Sequence, residues 1–98
     1  MKHVRYQSAG NSVGIKRTVD DFWEIADDGY VVRSVHVQPD GSLLKYDQEH
    51  DADAYGALPE GAITREMLAD SSVGLITFIS PAEFEVKWSL KAKNQINA

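Results

Sequence analysis

The chain contains no cysteine, which removes disulfides, thiolate metal sites and cysteine nucleophiles together. Proline is scarce, at three in 98 residues, and no Pro/Gly-rich linker, internal repeat or low-complexity run divides the sequence. Long apolar runs are missing as well. The longest uncharged apolar stretch, near Val73–Ile79, falls far short of the roughly 20 residues of a spanning helix. Met1-Lys2-His3-Val4-Arg5 opens no apolar segment, so no signal peptide is expected and the expected location is cytoplasmic. Basic residues are a minority, with ten Lys and Arg against fifteen Asp and Glu and a formal net charge of −5. What is present is a hydrophobic fraction of 43% with two Trp, four Tyr and three Phe, which excludes a disordered chain. A single domain over residues 1–98 is expected, burying roughly 60–65% of its unfolded surface.

The order of residues predicts mostly strands. His3-Val4-Arg5-Tyr6 reads as a short opening strand and the turn-rich Ser8–Gly14 as a loop. Phe22-Trp23-Glu24-Ile25 has strand composition, and Asp27-Asp28-Gly29 after it is a hairpin signal. In Tyr30–Val37 the apolar phase changes, with Tyr30 and Val32 on one face and Val35 and Val37 on the other. A bulge near Arg33-Ser34 would reconcile the halves; otherwise Arg33 leans on a core side chain by its apolar stem. Pro39-Asp40-Gly41 predicts a second turn and Ser42–Tyr46 a returning strand, so residues 22–46 form an antiparallel meander. Asp47–Gly61 reads as a long loop. A short helix capped by Thr64 is expected through Asp70, with Ile63 and Leu68 at staple spacing.

Leu75–Ile79 predicts a further strand. In Ser80-Pro81-Ala82-Glu83, serine stands at the cap, proline at the first helical position and glutamate at the third. That signature decides for a helix over the strand-like alternation of Phe84–Trp88, and sets Phe84 and Trp88 four apart against the sheet. The polar tail after Leu90 is expected to fray. The fold class expected is α+β, a small antiparallel sheet (meander 22–46 plus strand 75–79) with a C-terminal helix on one face.

Charge is unevenly laid out. Residues 20–70 hold thirteen acids against Arg33, Lys45 and Arg65, a local charge of −10, while the flanks carry +5. If the meander and the Asp47–Asp53 loop share a side, they make a negative face that repels nucleic acid and steers a basic protein. The bland alternative is ordinary solvated surface. The near absence of interspersed bases favours the face, as do Tyr46 and Tyr55 bracketing the loop. Catalytic and metal motifs find no anchor. Glu49-His50-Asp51-Ala52-Asp53 clusters donors, but as a calcium loop it has Ala62 where a bidentate Glu is required. His3, His36 and His50 are scattered, and a strand histidine such as His36 is more often a satisfied surface or edge residue than a general base. Gly10-Asn11-Ser12-Val13-Gly14 lacks phosphate-loop spacing. Lys87 and Lys91 share a helix face, but a C-terminal lysine run equally suits the helix dipole.

Phe22-Trp23-Glu24-Ile25, Val32-Arg33-Ser34-Val35-His36-Val37 with Asp40-Gly41, and Ile79-Ser80-Pro81-Ala82-Glu83-Phe84-Glu85-Val86-Lys87-Trp88 together resemble a group of short acidic bacterial domains of unknown function. Its members occur beside polymorphic toxins, which implies an immunity-type role and identifies no catalytic residue. The expectation is therefore a non-enzymatic acidic inhibitor without cofactor or metal, occluding the basic active site of a nuclease-like toxin, with no direct nucleic-acid or membrane partner. The residues expected to contact the partner are Asp20, Asp21, Glu24, Asp27, Asp28, Tyr46, Asp47, Glu49, Asp51, Asp53 and Tyr55. Two other roles remain open: a phage-encoded inhibitor of a defence nuclease (of anti-CRISPR type) mimicking nucleic acid, and a small hydrolase or metal-binding protein using His36 or His50.

Overall fold

Runs of β-branched and aromatic residues fold into five strands in the computed structural model, which describes residues 1–8, 19–38, 40–59, 61–64, 66 and 75–94. They are β1 (Lys2–Ser8), β2 (Val19–Ile25), β3 (Val31–Val37), β4 (Leu43–Asp47) and β5 (Leu75–Phe78), followed by α1 (Pro81–Ser89). The strands form one sheet in the order β4-β3-β2-β1-β5, antiparallel at every junction. The expected meander is β2-β3-β4, and the helix packs on one face, so the α+β architecture holds. Ser8 ends β1 opposite Val19 rather than opening a loop. The rest of the expected 8–14 loop, and the Thr64–Asp70 helix beyond Thr64 and Glu66, lie outside the described residues.

Both hairpin turns use glycine for its left-handed backbone: Gly29 has φ +92° and Gly41 φ +89°. At Gly29 space also matters, since a Cβ would sit 3.1 Å from the carbonyl oxygen of Ile63. Asp28 closes the first turn by accepting the Tyr30 N–H at 3.1 Å.

Strand alternation divides the side chains between two cores. On the helix face, Phe22, Val35 and Leu43 meet Phe84 and Ala92, with Val37, Ile79 and Trp88 around them. On the opposite face, Val4, Ile25 and Val31 pack with Trp23, Ile76 and the loop residues Leu58 and Ile63. The phase change in β3 is real, but its bulge lies earlier than expected. Glu24 pairs with Arg33 while Ile25 pairs with Val31, leaving Val32 as the extra residue. Val31 therefore takes the inward place expected of Val32, and Tyr30 stays 53% exposed outside the strand. Arg33 also rests on the core, by its guanidinium rather than its stem, 4.9 Å from the Phe84 ring centroid and 5.0 Å from that of Trp88.

The serine cap forms as expected. Ser80 Oγ accepts the Glu83 N–H at 3.1 Å, and Pro81 opens the helix. The segment after Leu90 departs from expectation, because through Asn94 it docks instead of fraying. Ala92 and Asn94 are buried. The Lys93 N–H donates to the Leu43 carbonyl at 2.7 Å, while Asn94 accepts from the Lys45 N–H at 2.9 Å and donates to its carbonyl at 2.8 Å. A polar segment thus covers the outer edge of β4, where unpaired backbone groups would otherwise template aggregation.

Candidate functional site

The eleven residues expected at a partner interface fall into three groups. The first is committed to hydrogen bonds within the fold. Glu24 is buried on the helix face, where Arg33 donates to its two oxygens at 2.7 and 2.6 Å and His3 Nε2 lies 2.9 Å away. Hydrogen bonding from Arg33 holds the Glu24 carboxyl below its ordinary value against the opposing cost of burial. Arg33 reaches on to Glu85 of α1, so this network ties helix to sheet. Asp20 is held by both nitrogens of the Arg5 fork at 2.8 Å. Asp21 contacts Nδ1 of His36 at 2.5 Å, and that hydrogen bond raises the His36 pKa.

Tyr46 belongs to the same group. It was expected as an anchor at the interface, yet it is 2% exposed and its hydroxyl donates to Asp53 at 2.9 Å. Burial, reinforced by Asp53, pushes the phenol up. Asp53 is a hub, 2.8 Å from His50 Nε2 and 2.9 Å from Asn94 Nδ2, and it accepts backbone N–H groups of Tyr55 and Gly56. Desolvation acts to raise its pKa, but these donors together hold the carboxyl well below the usual range. Glu24, Tyr46 and Asp53 thus commit their polar atoms to hydrogen bonds within the fold; the signal that could have exposed this is long-range pairing, invisible in local spacing.

The second group is Asp47 alone, half-buried, accepting the N–H groups of Glu49 and His50 at 2.9 and 2.8 Å to start the loop. The third group is exposed: Asp27, Asp28, Glu49, Asp51 and Tyr55. The topology gathers most of it. The β2–β3 turn and the start of the loop after β4 lie at the same end of the sheet, and the loop returns there through Ile63, whose N–H donates to Gly29 at 2.7 Å. Asp27, Asp28, Glu49 and Asp51 thus share an end with exposed Tyr30, an aromatic not singled out in the sequence. Among the described residues none of these four carboxylates pairs with a Lys or Arg; Asp27, its side chain 99% exposed, lies 3.7 Å from the amino group of Met1. Asp20 and Asp21 sit at the opposite end of β2, so the −10 span does not form one face. Tyr55 is half exposed with Lys93 Nζ 5.3 Å from its ring centroid.

On the face opposite the helix, an open cavity of about 200 Å³ lies between the sheet and residues 55–59, with the Asp21–His36 pair in its lining. Among the described residues no three His, Asp or Glu converge to hold a metal ion, and no helix is long and apolar enough to cross a membrane. The chain matches no protein-family model, no curated protein and no solved structure.

Proposed function

We propose that this protein is an acidic binding module that occludes a basic surface on a protein partner, in the manner of an immunity protein on a nuclease-like toxin. The observation that carries the reading is the set of exposed carboxylates at one end of the sheet, Asp27, Asp28, Glu49 and Asp51, without Lys or Arg partners among the described residues. Their uncompensated charge attracts a cationic surface and raises encounter rates at low ionic strength. Tyr30 and Tyr55 supply exposed aromatic area of the kind enriched at interfaces. The acids are mounted on a glycine turn and on a hydrogen-bonded loop, which limits the ordering cost of binding. The resemblance of the strand and helix motifs to immunity-type domains points the same way.

The test is capture from lysate of the source organism, with mass-spectrometric identification at low and high salt, comparing wild type with Asp27→Lys/Glu49→Lys/Asp51→Lys. Among the described residues these three side chains accept no backbone hydrogen bond, so the variant keeps the described turns intact. The reading expects a basic nuclease-like protein held by wild type at low salt and lost by the variant. Equal capture by both, or no basic protein with either, contradicts it. A captured defence nuclease in place of a toxin would assign the same surface to the anti-defence role.

A further inference from the structure

The sheet has two outer edges, and the fold treats them differently. The β4 edge is covered, since the Lys93 N–H donates to the Leu43 carbonyl at 2.7 Å and Asn94 holds both backbone groups of Lys45. β5 lies at the other edge and, among the described residues, pairs only with β1. Residues 73–79 carry no charge and no proline, so β5 lacks the lysine or proline that commonly blunts an open edge. Phe78 is 62% exposed and Leu75 57%, and Thr77 between them is exposed as well.

Backbone alternation fixes which groups of β5 are open. The Ile79 N–H donates to the His3 carbonyl at 2.9 Å, and the same antiparallel register sets Thr77 opposite Arg5 and Leu75 opposite Gln7. Thr77 and Leu75 therefore turn N–H and C=O toward β1, while Ile76 and Phe78 turn theirs outward. Among the described residues no hydrogen bond uses these outward groups. Side chains alternate too. Ile76 and Phe78 stand on the face opposite the helix, beside Tyr6 and Val4, and Leu75, Thr77 and Ile79 on the helix face.

We propose that β5 pairs antiparallel with β5 of a second copy of this chain, about a twofold axis through Thr77, joining the two sheets into one. In that register Ile76 and Phe78 of one copy exchange N–H···O=C bonds with Phe78 and Ile76 of the other, which uses every outward group of the strand. The same register sets Leu75 against Ile79, Ile76 against Phe78 and Thr77 against its own twin, each pair on one face and none charged. The covered β4 edge offers no place for a head-to-tail β5–β4 contact that would propagate, so pairing closes at two copies. A contact through one short strand falls below the roughly 1,200 Å² of a standard interface, which sets the expected association in the micromolar range or weaker. Asp27, Asp28, Glu49 and Asp51 lie outside β5, so the inference is separate from the proposed capture of a basic protein.

The test is sedimentation velocity of the full chain from low-micromolar to near-millimolar concentration, with amide hydrogen exchange read at both ends of that range. The expected result is a passage from one chain to two, with exchange at Ile76 and Phe78 slowed about tenfold or more at the high end. Salt is expected not to weaken the dimer, because the paired strands are uncharged and screening relieves the repulsion between two chains of net charge −5. Thr77→Lys and Thr77→Glu, at an exposed position, are each expected to stay monomeric, because like charges meet on the twofold axis. Their equimolar mixture is expected to regain the dimer. The wild-type comparison needs no variant and stands even if a substitution disturbs folding. A single chain at every concentration, a dimer that leaves Ile76 and Phe78 in fast exchange, or a Thr77→Lys chain that dimerises like wild type overturns the proposal. So does protection of those two amides only when the captured basic partner is added, which would give the edge to that partner instead.

Discussion

Asn94 sits 49 residues from Lys45 in sequence and clamps both its backbone groups, while also donating to Asp53. Replacing it by alanine removes three hydrogen bonds and uncovers the β4 edge. Asn94→Ala is expected to cost about 2 kcal/mol in denaturant unfolding and to speed amide exchange at Lys45. Glu24 stands between Arg33 and His3 with its side chain 12% exposed. Glu24→Gln leaves the partly buried Arg33 guanidinium with Glu85 as its one carboxylate partner among the described residues, for an expected loss of about 3 kcal/mol. The two ionic pairs on opposite faces also predict opposite pH limbs. The folded state raises His36 above its ordinary 6.5, so that stabilisation is complete below 6.5 and is lost as pH rises through the raised value. Arg33 lowers Glu24 below its ordinary 4.5, so that contribution is complete above 4.5 and is lost as pH falls through the lowered value. Stability measured against pH should lose its alkaline-side decline in His36→Gln and keep its acid limb.

At the scale of elements, legibility follows the range of the interactions that decide each one. The α1 start is legible because Ser80, Pro81 and Glu83 act on each other within one turn. The meander is legible because Gly29 and Gly41 mark its turns with positive φ. The site of the bulge is not, since it depends on the register of β3 against β2, and a one-residue choice there exchanges Val31 for Val32 at the core. The docked tail is equally hidden: Leu90–Asn94 has the composition of a fraying end, and only the exposed edge of β4 gives it a partner. Phe84 is fully buried and joins the helix to Phe22, Val35 and Leu43. Phe84→Ala is expected to cost about 3–5 kcal/mol, against about 1 kcal/mol for Ser80→Ala. Thermal unfolding of the two variants checks both; near-equal losses would contradict the assignment of Phe84 as the main tie between helix and sheet.

Over the whole molecule, the excess of acid in residues 20–70 is plain from the sequence, but its division is a tertiary fact. Arg5, Arg33 and His36 come from other strands to engage Asp20, Glu24 and Asp21, and nothing local distinguishes these acids from Asp27 or Glu49. Neither could spacing reveal that Tyr46 turns inward to Asp53 while Tyr30 remains outside. What survives of the expected negative face is smaller and confined to one end of the sheet, and the central claim is that this end guides a basic partner. The most direct test is the association rate of the captured partner, measured by stopped flow across ionic strength for wild type and for Asp27→Lys/Glu49→Lys/Asp51→Lys. The account predicts a wild-type rate that falls steeply with salt, and a variant that associates more slowly at low salt with a flattened dependence. Rates and salt slopes that coincide for the two proteins would contradict it.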